Sequence, residues 1–341
     1  MWHVDSRIAL AAAAALLVAG AGCRDVSFPP AGSYNEIDLV VEGGAAGEWA
    51  KELVPVLQVE RDYFVTTEPA FHVVSIADAP ADEPPTVKNV VLCGVLDAAS
   101  AVGGRITFLL GEEGVQRVMH GEAAILKREN VPLAGQMTLI ITAANDDALH
   151  KVLRERADEI PEIIDASCRE RLRRNLLTRR RTALSEELRR HWGFQIEIPS
   201  LYTLYDQSEN PPGVELHRDS PPRVLGIFWK EWDHAPTLYN TDELFDFRAR
   251  YVEERYSGDQ MQRDRARYAY VRLGPYTAIR MSGYWYNDEF SMAGGYFETF
   301  FVWDEKSKLL WAVDGLLYAP GREKTSLVRE LHALAETFRY D

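Results

Sequence analysis

The sequence predicts an α+β protein with an N-terminal mixed α/β sheet domain, a long connecting helix, and a C-terminal antiparallel sheet with packed helices. Three observations predict this class. Strand and helix patterns mix over residues 35–157, an arginine-rich helical pattern covers 158–192, and β-branched and aromatic residues mark 193–341. Twelve of the 36 aromatic residues lie between Tyr276 and Tyr318, the strongest strand signal in the chain.

Composition sets limits on the class of protein. The chain has 341 residues, enough for two domains of ordinary size, and its 46% apolar and 26% charged residues are typical of a globular protein. Its formal net charge is −14, so nucleic acid repels it as a whole. We therefore expect no nucleic-acid partner.

Residues 1–22 predict a lipoprotein signal peptide. Arg7 precedes an apolar run that is too short to span a bilayer and has the length of a signal-peptide core. The run ends in small residues followed by Cys23, as in a bacterial lipobox, although Gly20 stands where an aliphatic residue is usual. Cys23 is the predicted lipidation site, carrying diacylglycerol and palmitate. The alternative is an ordinary secretory signal with a coincidental cysteine.

Lipidation of Cys23 predicts a protein of the cell envelope that faces the periplasm. Residues 23–34, which contain prolines and a glycine, predict a short tether between the lipid and the folded body. Arg24 follows the cysteine and no simple inner-membrane retention signal is visible, so the outer membrane is favoured. The body keeps Cys93 and Cys168, which an oxidising compartment allows to pair, or which lie buried as free thiols.

The N-terminal domain is predicted from strands that alternate with helices. A strand over 36–41 and a helix over 48–57 flank a glycine-rich turn, but Glu42 stands where a dinucleotide-binding fingerprint needs glycine. Asn145 or Asp146 is the predicted N-cap of a helix that starts at Asp146. The other predicted strands cover 71–76, 89–96, 123–127 and 137–142.

One long helix is predicted over residues 158–192. Apolar residues recur every four positions from Ile164 to Leu176, and nine arginines lie between Arg169 and Arg190. The arginines form either a basic face for an anionic partner or a solvated helix face. Gly193 follows in the usual position for ending a helix.

The C-terminal domain is predicted as an antiparallel sheet with helices on one face. Strands cover 194–198 and 224–229, and a helix capped by Thr241 runs to Tyr256. The aromatic strands follow, and an amphipathic helix closes the chain. In the aromatic strand from Tyr296, side chains alternate between two apolar faces, so we expect the second face to pack against another layer or to bind a ligand.

These features resemble one family. The motif Gly193-Phe-x-Ile-x-Ile-Pro199, the pair Gly294-Gly295, and the segment Val313-Asp-Gly-Leu-Leu-Tyr-Ala-Pro-Gly321 are similar to uncharacterised bacterial lipoproteins of the domain-of-unknown-function family numbered forty-eight thirty-seven. The resemblance implies a cell-envelope lipoprotein with no assigned chemistry and no catalytic residues. The C-terminal half is also broadly similar to small α+β domains of the photosystem-protein and nuclear-import-factor type, which implies no function.

The polar residues of the chain form none of the usual catalytic or metal-binding motifs. The sequence contains no nucleophile elbow, zincin helix, Walker loop or Cys-x-x-Cys pair. His217 and His234 are read as surface histidines. Carboxylates among the aromatic residues suggest a hydrolase as the alternative function. Those carboxylates are Asp288, Glu289, Glu298, Asp304 and Asp314.

The sequence therefore predicts a non-catalytic module, without cofactor or metal, that binds an envelope protein or glycan or has a structural role. Its other partner is the membrane, through the lipid anchor. The aromatic segment is predicted to be core first and a binding rim second, because tyrosine and tryptophan beside two glycines allow close approach. The rim residues are Tyr284, Trp285, Tyr286, Gly294 and Gly295.

Overall fold

The computed structural model describes most of the folded body and leaves out the predicted signal peptide. The described residues are 30, 32–79, 87–97, 99–122, 124–256, 258–288 and 293–341. Cys23 and most of the tether lie outside them. In this part of the chain, no helix combines the length and the apolar character needed to cross a membrane.

The described residues form seven helices and seventeen strands, which confirms the α+β class. The helices are α1 (Glu48–Leu57), α2 (Ala101–Met119), α3 (Asp146–Glu155), α4 (Glu159–Leu176), α5 (Thr182–Trp192), α6 (Thr241–Arg255) and α7 (Thr325–Ala335). The strands of the first half are β1 (Glu36–Val41), β2 (Glu60–Asp62), β3 (Thr67–Pro69), β4 (His72–Ala77), β5 (Asn89–Val95), β6 (Ile125–Glu129) and β7 (Met137–Ala143).

The first half is a five-stranded sheet between helices. Its strand order is β4-β1-β5-β7-β6, with β6 antiparallel to β7 and the other pairs parallel. Since successive side chains of a strand point to opposite faces, a central strand that is apolar throughout needs cover on both. Ile37 and Leu39 of β1 pack with α1, α3 and α4, whereas Val40 packs with α2.

Both cysteines of the body lie in this first core. Cys93 in β5 and Cys168 in α4 are buried free thiols. The Cys168 thiol donates to the Tyr34 carbonyl and to Asn89 Oδ1, at 3.3 Å each. The buried-thiol alternative therefore holds, and the disulfide does not form.

The second half is an eight-stranded antiparallel sheet. Its order is β12-β14-β15-β16-β11-β10-β9, and β13 also pairs with β14, while the two-residue strands β8 and β17 pair with each other. The strands are β8 (Phe194–Gln195), β9 (Thr203–Glu209), β10 (Pro212–Arg218), β11 (Arg223–Glu231), β12 (Gln260–Met261), β13 (Arg267–Leu273), β14 (Tyr276–Asn287), β15 (Ala293–Asp304), β16 (Leu309–Leu317) and β17 (Arg339–Tyr340).

Helices cover both faces of this sheet, so the expectation of helices on one face is wrong. Phe297 and Phe301 of β15 pack under α6, and Tyr296 and Phe300 pack with α7 and α5 on the other side. The physical reason is the alternation of aromatic residues along β15, which makes both faces apolar. Most of the aromatic segment is therefore core.

The predicted long helix over 158–192 is two helices, α4 and α5. The backbone between them pairs with another segment instead of continuing the helix. The Arg181 amide donates to the Ile198 carbonyl and the Ser200 amide donates to the Arg179 carbonyl, both at 2.8 Å. As a result α4 packs on the first core and α5 on the second.

Some elements were not predicted. Helix α2 carries four glycines, which lower helix propensity, and it kinks at Gly111 (φ 67°). Its apolar residues Val102, Ile106 and Leu110 nevertheless recur every four positions and pack on the sheet. Strands β9, β10 and β13 were also missed, and the predicted strand 194–198 is regular only in its first two residues.

A buried ion pair joins α6 to the second sheet. Arg248 Nε and Nη2 donate to the two carboxylate oxygens of Asp314 at 2.7 and 2.9 Å, and both side chains are fully buried. The guanidinium also lies over the ring of Phe297, 3.7 Å from its centroid. Because the ion pair is bidentate and excluded from water, each side chain neutralises the buried charge of the other.

We expect Arg248→Met to lower the free energy of unfolding by about 3–5 kcal/mol, because Asp314 is left as an uncompensated buried charge. Urea denaturation measures the change. The double variant Arg248→Met, Asp314→Leu should recover most of the loss, and Arg250→Met, at an exposed position of the same helix, should change stability by less than about 0.5 kcal/mol. A loss below about 1 kcal/mol for Arg248→Met would contradict this role.

Candidate functional site

A cavity of about 580 Å³ lies between the two halves of the protein. The first half contributes β2, the residues that follow it, and α4, and the second half contributes β13, β14, β15 and α7. The exposed lining residues Glu162 and Arg267, with 69% and 59% of their side chains accessible, lie toward solvent. Residues distant in sequence thus form one concave surface.

Charged side chains make up much of the cavity wall. The six lining arginines are Arg61, Arg169, Arg267, Arg272, Arg280 and Arg329. The five lining carboxylates are Glu60, Asp62, Glu162, Asp165 and Glu298. Tyr63, Tyr296, Ser282 and His332 add further polar atoms. The cavity is therefore suited to a polar or charged ligand rather than an apolar one.

The carboxylate of Asp165 in α4 contacts three of these arginines. Its carboxylate lies 2.5 Å from Arg329 Nε and 3.2 Å from Arg61 Nη2, and Arg169 also donates to it. Burial alone would raise the pKa of the Asp165 carboxyl, but the three guanidinium groups outweigh burial and lower that pKa to about 2. Asp165 is thus ionised at any physiological pH.

The same contacts hold the two halves together beside the cavity. Arg329 of α7 reaches into the first half, where it donates to the Ala70 carbonyl at 2.8 Å. Glu68 of β3 accepts from the Lys324 and Thr325 amides at 2.7 and 3.0 Å, so a side chain from the first half caps the start of α7. The cavity wall is consequently well positioned by both halves.

Glu298 is the unusual residue of the cavity. It lies on β15 opposite Ser282 of β14, its side chain is 3% exposed, and among the described residues its Oε1 atom has no hydrogen-bond partner. Burial raises the pKa of the Glu298 carboxyl to about 7, although Arg280, Arg169 and Arg61 oppose the shift. The carboxyl group therefore exchanges a proton near neutral pH.

His332 of α7 lies beside Glu298 but does not form a charged pair with it. Its Nδ1 atom is 3.9 Å from Glu298 Oε1. Burial, followed by the charge of Arg169, lowers the pKa of the His332 imidazole well below its ordinary value. The imidazole is thus neutral, and Glu298 is the group here that titrates near pH 7.

Arg280 is the second distinctive residue. It lies on β14 between the buried residues Ile279 and Met281, and its half-buried side chain lines the cavity on the same sheet face as Glu298. Within the described part of the chain it makes no hydrogen bond or salt bridge, although its charge acts on Glu298, Tyr296 and His332. It is a cation available to a ligand.

The two carboxylates suggested for hydrolysis lie on opposite faces of the sheet. Glu298 faces the cavity and α7, whereas the neighbouring residue Thr299 pairs with Asp314, whose carboxylate binds Arg248 on the α6 side. A glycosidase pair needs both carboxyl groups on either side of one bond. Glu298 and Asp314 cannot act together in this way.

The other residues considered for catalysis or metal binding make structural contacts or lie at the surface. Asp304 caps a turn by accepting from the Lys306 amide at 3.0 Å, and Asp288 is exposed. His217 stacks on Tyr205, with ring centroids 4.0 Å apart, and His234 is 53% exposed at the surface. Glu289 lies outside the described residues.

One surface group has metal-ligand residue types. Glu48, Glu52 and His150 place ligand atoms within 4.8 Å of one another. His150 Nδ1 lies 2.8 Å from Glu52, its ring packs 4.4 Å from the Trp49 ring, and Glu48 is 72% exposed. These contacts describe a surface ion-pair cluster between α1 and α3.

The predicted rim residues divide between core and cavity face. Trp285 is buried, with its indole N–H donating to the Leu317 carbonyl at 3.2 Å. Gly294 and Gly295 leave space for neighbours, since an added Cβ would come within 2.0 Å of the Tyr284 hydroxyl and the Leu317 carbonyl respectively. The glycines thus serve the packing of the rim itself.

Tyr284 and Tyr286 are half-buried and share the sheet face of Arg280 and Glu298. Tyr284 pairs directly with Tyr296, which lines the cavity. Two of the five predicted rim residues, Tyr284 and Tyr286, thus lie on the sheet face of the cavity without lining it, and the rim stays a prediction. One sequence signal could have indicated the charged centre of the cavity. Each of two apolar strands contains an inward-facing charged residue, Arg280 in β14 and Glu298 in β15.

Comparison with known proteins identifies a family for part of the chain. Residues 181–337 match the family described as Domain of unknown function (DUF4837), which confirms the resemblance drawn from the sequence. No curated protein matches the chain. The lipoprotein character of the chain stays a prediction.

Two solved structures are similar in part. The solution structure of cyanobacterial PsbP (CyanoP) from Synechocystis sp. PCC 6803 has 13% identity, covers 44% of this chain and 87% of its own, and gives a TM-score of 0.31. The crystal structure of LpqN, titled as involved in cell envelope biogenesis of Mycobacterium tuberculosis, has 14% identity, coverages of 42% and 81%, and a TM-score of 0.28. Scores this low support no inference about function.

We expect Glu298→Gln to change how stability depends on pH. The folded pKa of about 7 exceeds the ordinary value of 4.5, so the folded state holds the proton more tightly and stability falls as pH rises from 4.5 to 7. The variant lacks this loss, which amounts to about 3 kcal/mol at pH 8. Urea unfolding of variant and wild type from pH 4 to 8.5 measures the difference, with exposed Glu305→Gln as the control. Parallel curves for Glu298→Gln and wild type would contradict the prediction.

Proposed function

We propose that this chain, whose residues 181–337 belong to the DUF4837 family, is a non-catalytic binding module tethered to the cell envelope by lipid. Its ligand is a polar group of an envelope glycan. The observation that carries the proposal is the charged cavity of about 580 Å³ between the two halves. Small-molecule sites have volumes of about 300–1,000 Å³, so the cavity has the size of such a site.

The polar groups of the cavity support binding rather than packing alone. A buried polar atom without a partner costs free energy in the free protein, and a ligand that supplies the partner recovers it. Among the described residues, Glu298 Oε1 has no hydrogen-bond partner and Arg280 at the same wall makes no hydrogen bond or salt bridge. Both groups therefore favour a ligand with polar oxygen atoms.

A glycan fits this site better than a protein partner. Specific protein interfaces bury about 1,200–2,000 Å² over broad surfaces, whereas this site is a concavity between two halves of one chain. Tyr63, Tyr268 and Tyr296 line the cavity, and Tyr284 and Tyr286 lie on the same sheet face outside its lining. An aromatic surface beside arginines suits an acidic sugar, because guanidinium groups bind oxyanions through two parallel hydrogen bonds.

The position of the protein in the envelope rests on its first residues. In the proposed mature form residues 1–22 are removed, Cys23 carries the lipid, and residues 23–34 link it to the body. The membrane is a partner through this anchor, and the body faces the periplasm from the outer membrane. The opposite orientation of Glu298 and Asp314 supports a binding role over hydrolysis.

We expect Cys23→Ala to abolish incorporation of a fatty-acid analogue and to release the protein from the membrane fraction, because the thiol proposed to carry the lipid is removed. Metabolic labelling and fractionation measure both effects. Cys93→Ala, which alters a buried thiol, is the matched control and should keep label and membrane association. Equal labelling of Cys23→Ala and wild type would remove the anchor from the proposal.

We expect Ala269→Trp to reduce glycan binding at least tenfold, because Ala269 lines the cavity opposite Arg280 and an indole there fills space. Glycan fragments released from the native envelope are captured on immobilised protein and quantified by mass spectrometry. Tyr270→Trp is the matched control, since Tyr270 lies on the other face of β13 and is 55% exposed. Equal capture by wild type and Ala269→Trp, or no capture above empty beads, would overturn the proposal.

A further inference from the structure

We infer that the cavity binds an oxyanion between Arg280 and the protonated carboxyl group of Glu298, so that ligand binding is coupled to one proton. This inference rests on the proposed function, because it names the chemical group that the cavity recognises and the condition under which it binds. Neither the family description nor the sequence motifs assign a ligand-binding role to Arg280 or Glu298.

The Arg280 guanidinium and the Glu298 carboxyl group lie at the same wall of the cavity. Arg280 and Glu298 lie on neighbouring strands with side chains on the same face, and both line the cavity. They do not form a salt bridge with each other within the described residues. An Arg280–Glu298 pair would be the obvious way to compensate a buried carboxylate. Its absence leaves both groups free to contact a third.

The charges around Glu298 favour an anion. The titratable and charged groups around it come from every element packed at the cavity: Arg280 of β14, Tyr296 of β15, Arg267, Tyr268 and Arg272 of β13, His332 and Arg329 of α7, Glu162, Asp165 and Arg169 of α4, and Glu60, Arg61 and Asp62 of β2 with Tyr63 beside it. Glu336, which follows α7, binds Arg169 and lies 3.7 Å from His332 Nε2. Asp165 is the one buried acid of this set and is shared by three arginines. The charges of Arg280, Arg169 and Arg61 act on Glu298 more strongly than that of Asp165, so the site favours an anion.

Protonation of Glu298 decides whether an anion is attracted or repelled there. A neutral carboxyl group donates a hydrogen bond to an oxyanion, whereas a carboxylate has no donor and repels it. Because burial raises the pKa of Glu298 to about 7, the group changes between these states near neutral pH. His332 stays neutral in this pH range, so it is not the group that takes up the proton linked to binding. By reciprocity, a bound anion raises the pKa of Glu298 further.

The oxyanion has two sources in envelope glycans, a sugar carboxylate or a phosphoryl group. A carboxylate has two oxygen atoms in one plane, and a phosphoryl group has oxygen atoms arranged around a tetrahedral phosphorus. Either group can accept hydrogen bonds from a guanidinium and from a neutral carboxyl group at once. Two probes distinguish them: glucuronate for the carboxylate, and sulfate for the phosphoryl group. The charge of each probe is constant between pH 5.5 and 8.5, so any pH dependence belongs to the protein.

Isothermal titration of the folded body with sulfate and with glucuronate, at each half pH unit over this range, tests the inference. For wild type we expect affinity for at least one probe to fall above pH 7, approaching about tenfold per pH unit, because one proton is linked to binding. Glu298→Gln keeps a neutral hydrogen-bond donor, so it should bind with an affinity that does not change with pH. Arg280→Leu should weaken binding at least about tenfold at pH 6.

Arg250→Leu is the matched control, because Arg250 is an exposed arginine of α6, on the far face of the sheet. It should reproduce the wild-type affinity and pH profile, and thermal unfolding confirms that each variant is folded. Wild-type binding without pH dependence, or an unchanged pH dependence in Glu298→Gln, would overturn the proton coupling. Binding by Arg280→Leu equal to wild type would overturn the assignment of the anion to Arg280.

Failure of this inference is distinguishable from failure of the proposed function. If neither probe binds while Ala269→Trp still abolishes capture of envelope glycan fragments, the cavity is a ligand site but not an oxyanion site. If neither probe binds and Ala269→Trp captures as much glycan as wild type, the proposed function itself fails. If a probe binds as predicted, both stand.

Discussion

The carboxylate of Asp165 is the contact on which the arrangement of the two halves depends. It binds Arg61 and Arg169 from the first half and Arg329 from the second. A buried carboxylate with three guanidinium groups is well compensated, whereas any one of those arginines without it would leave a costly charge. Because Arg329 belongs to α7, this contact positions the helix that packs on the second sheet, and thereby forms one side of the cavity.

The other buried acids of the second half show by contrast why Glu298 stands apart. Asp314 binds Arg248 through both oxygens, and Glu330 accepts from Tyr202, Arg218 and Arg223 at 2.7–2.9 Å. Such partners compensate the cost of burying a carboxylate. Glu298 has equal burial without comparable contacts in the described residues, so it keeps its proton to a higher pH. A carboxyl group that exchanges a proton therefore lies in the same half as two buried acids, Asp314 and Glu330, whose charges are paired with arginines.

Local pattern predicted many elements but not their contacts. Strand β1 and helix α1 have the predicted limits, since β-branching and helical spacing act over a few neighbouring residues. Helix α2 was missed because its glycines hide an apolar stripe that packing on the sheet makes helical. The break before α5 was missed because it depends on pairing with Ile198 and Ser200, which local spacing does not encode. The aromatic pattern drew attention to the rim tyrosines, but it could not join Arg280 and Glu298 to Asp165, which is distant in sequence.

The sequence by itself determined the class of fold and the family resemblance now confirmed over residues 181–337, because these depend on composition, periodicity and short motifs. It also predicted that the aromatic segment is mostly core. The tertiary structure decided that helices cover both faces of the second sheet and that Glu298 and Asp314 are separated by that sheet. It also decided that a charged cavity lies between the halves. Burial and charge compensation arise from contacts between distant segments, so they become visible only when the chain is folded.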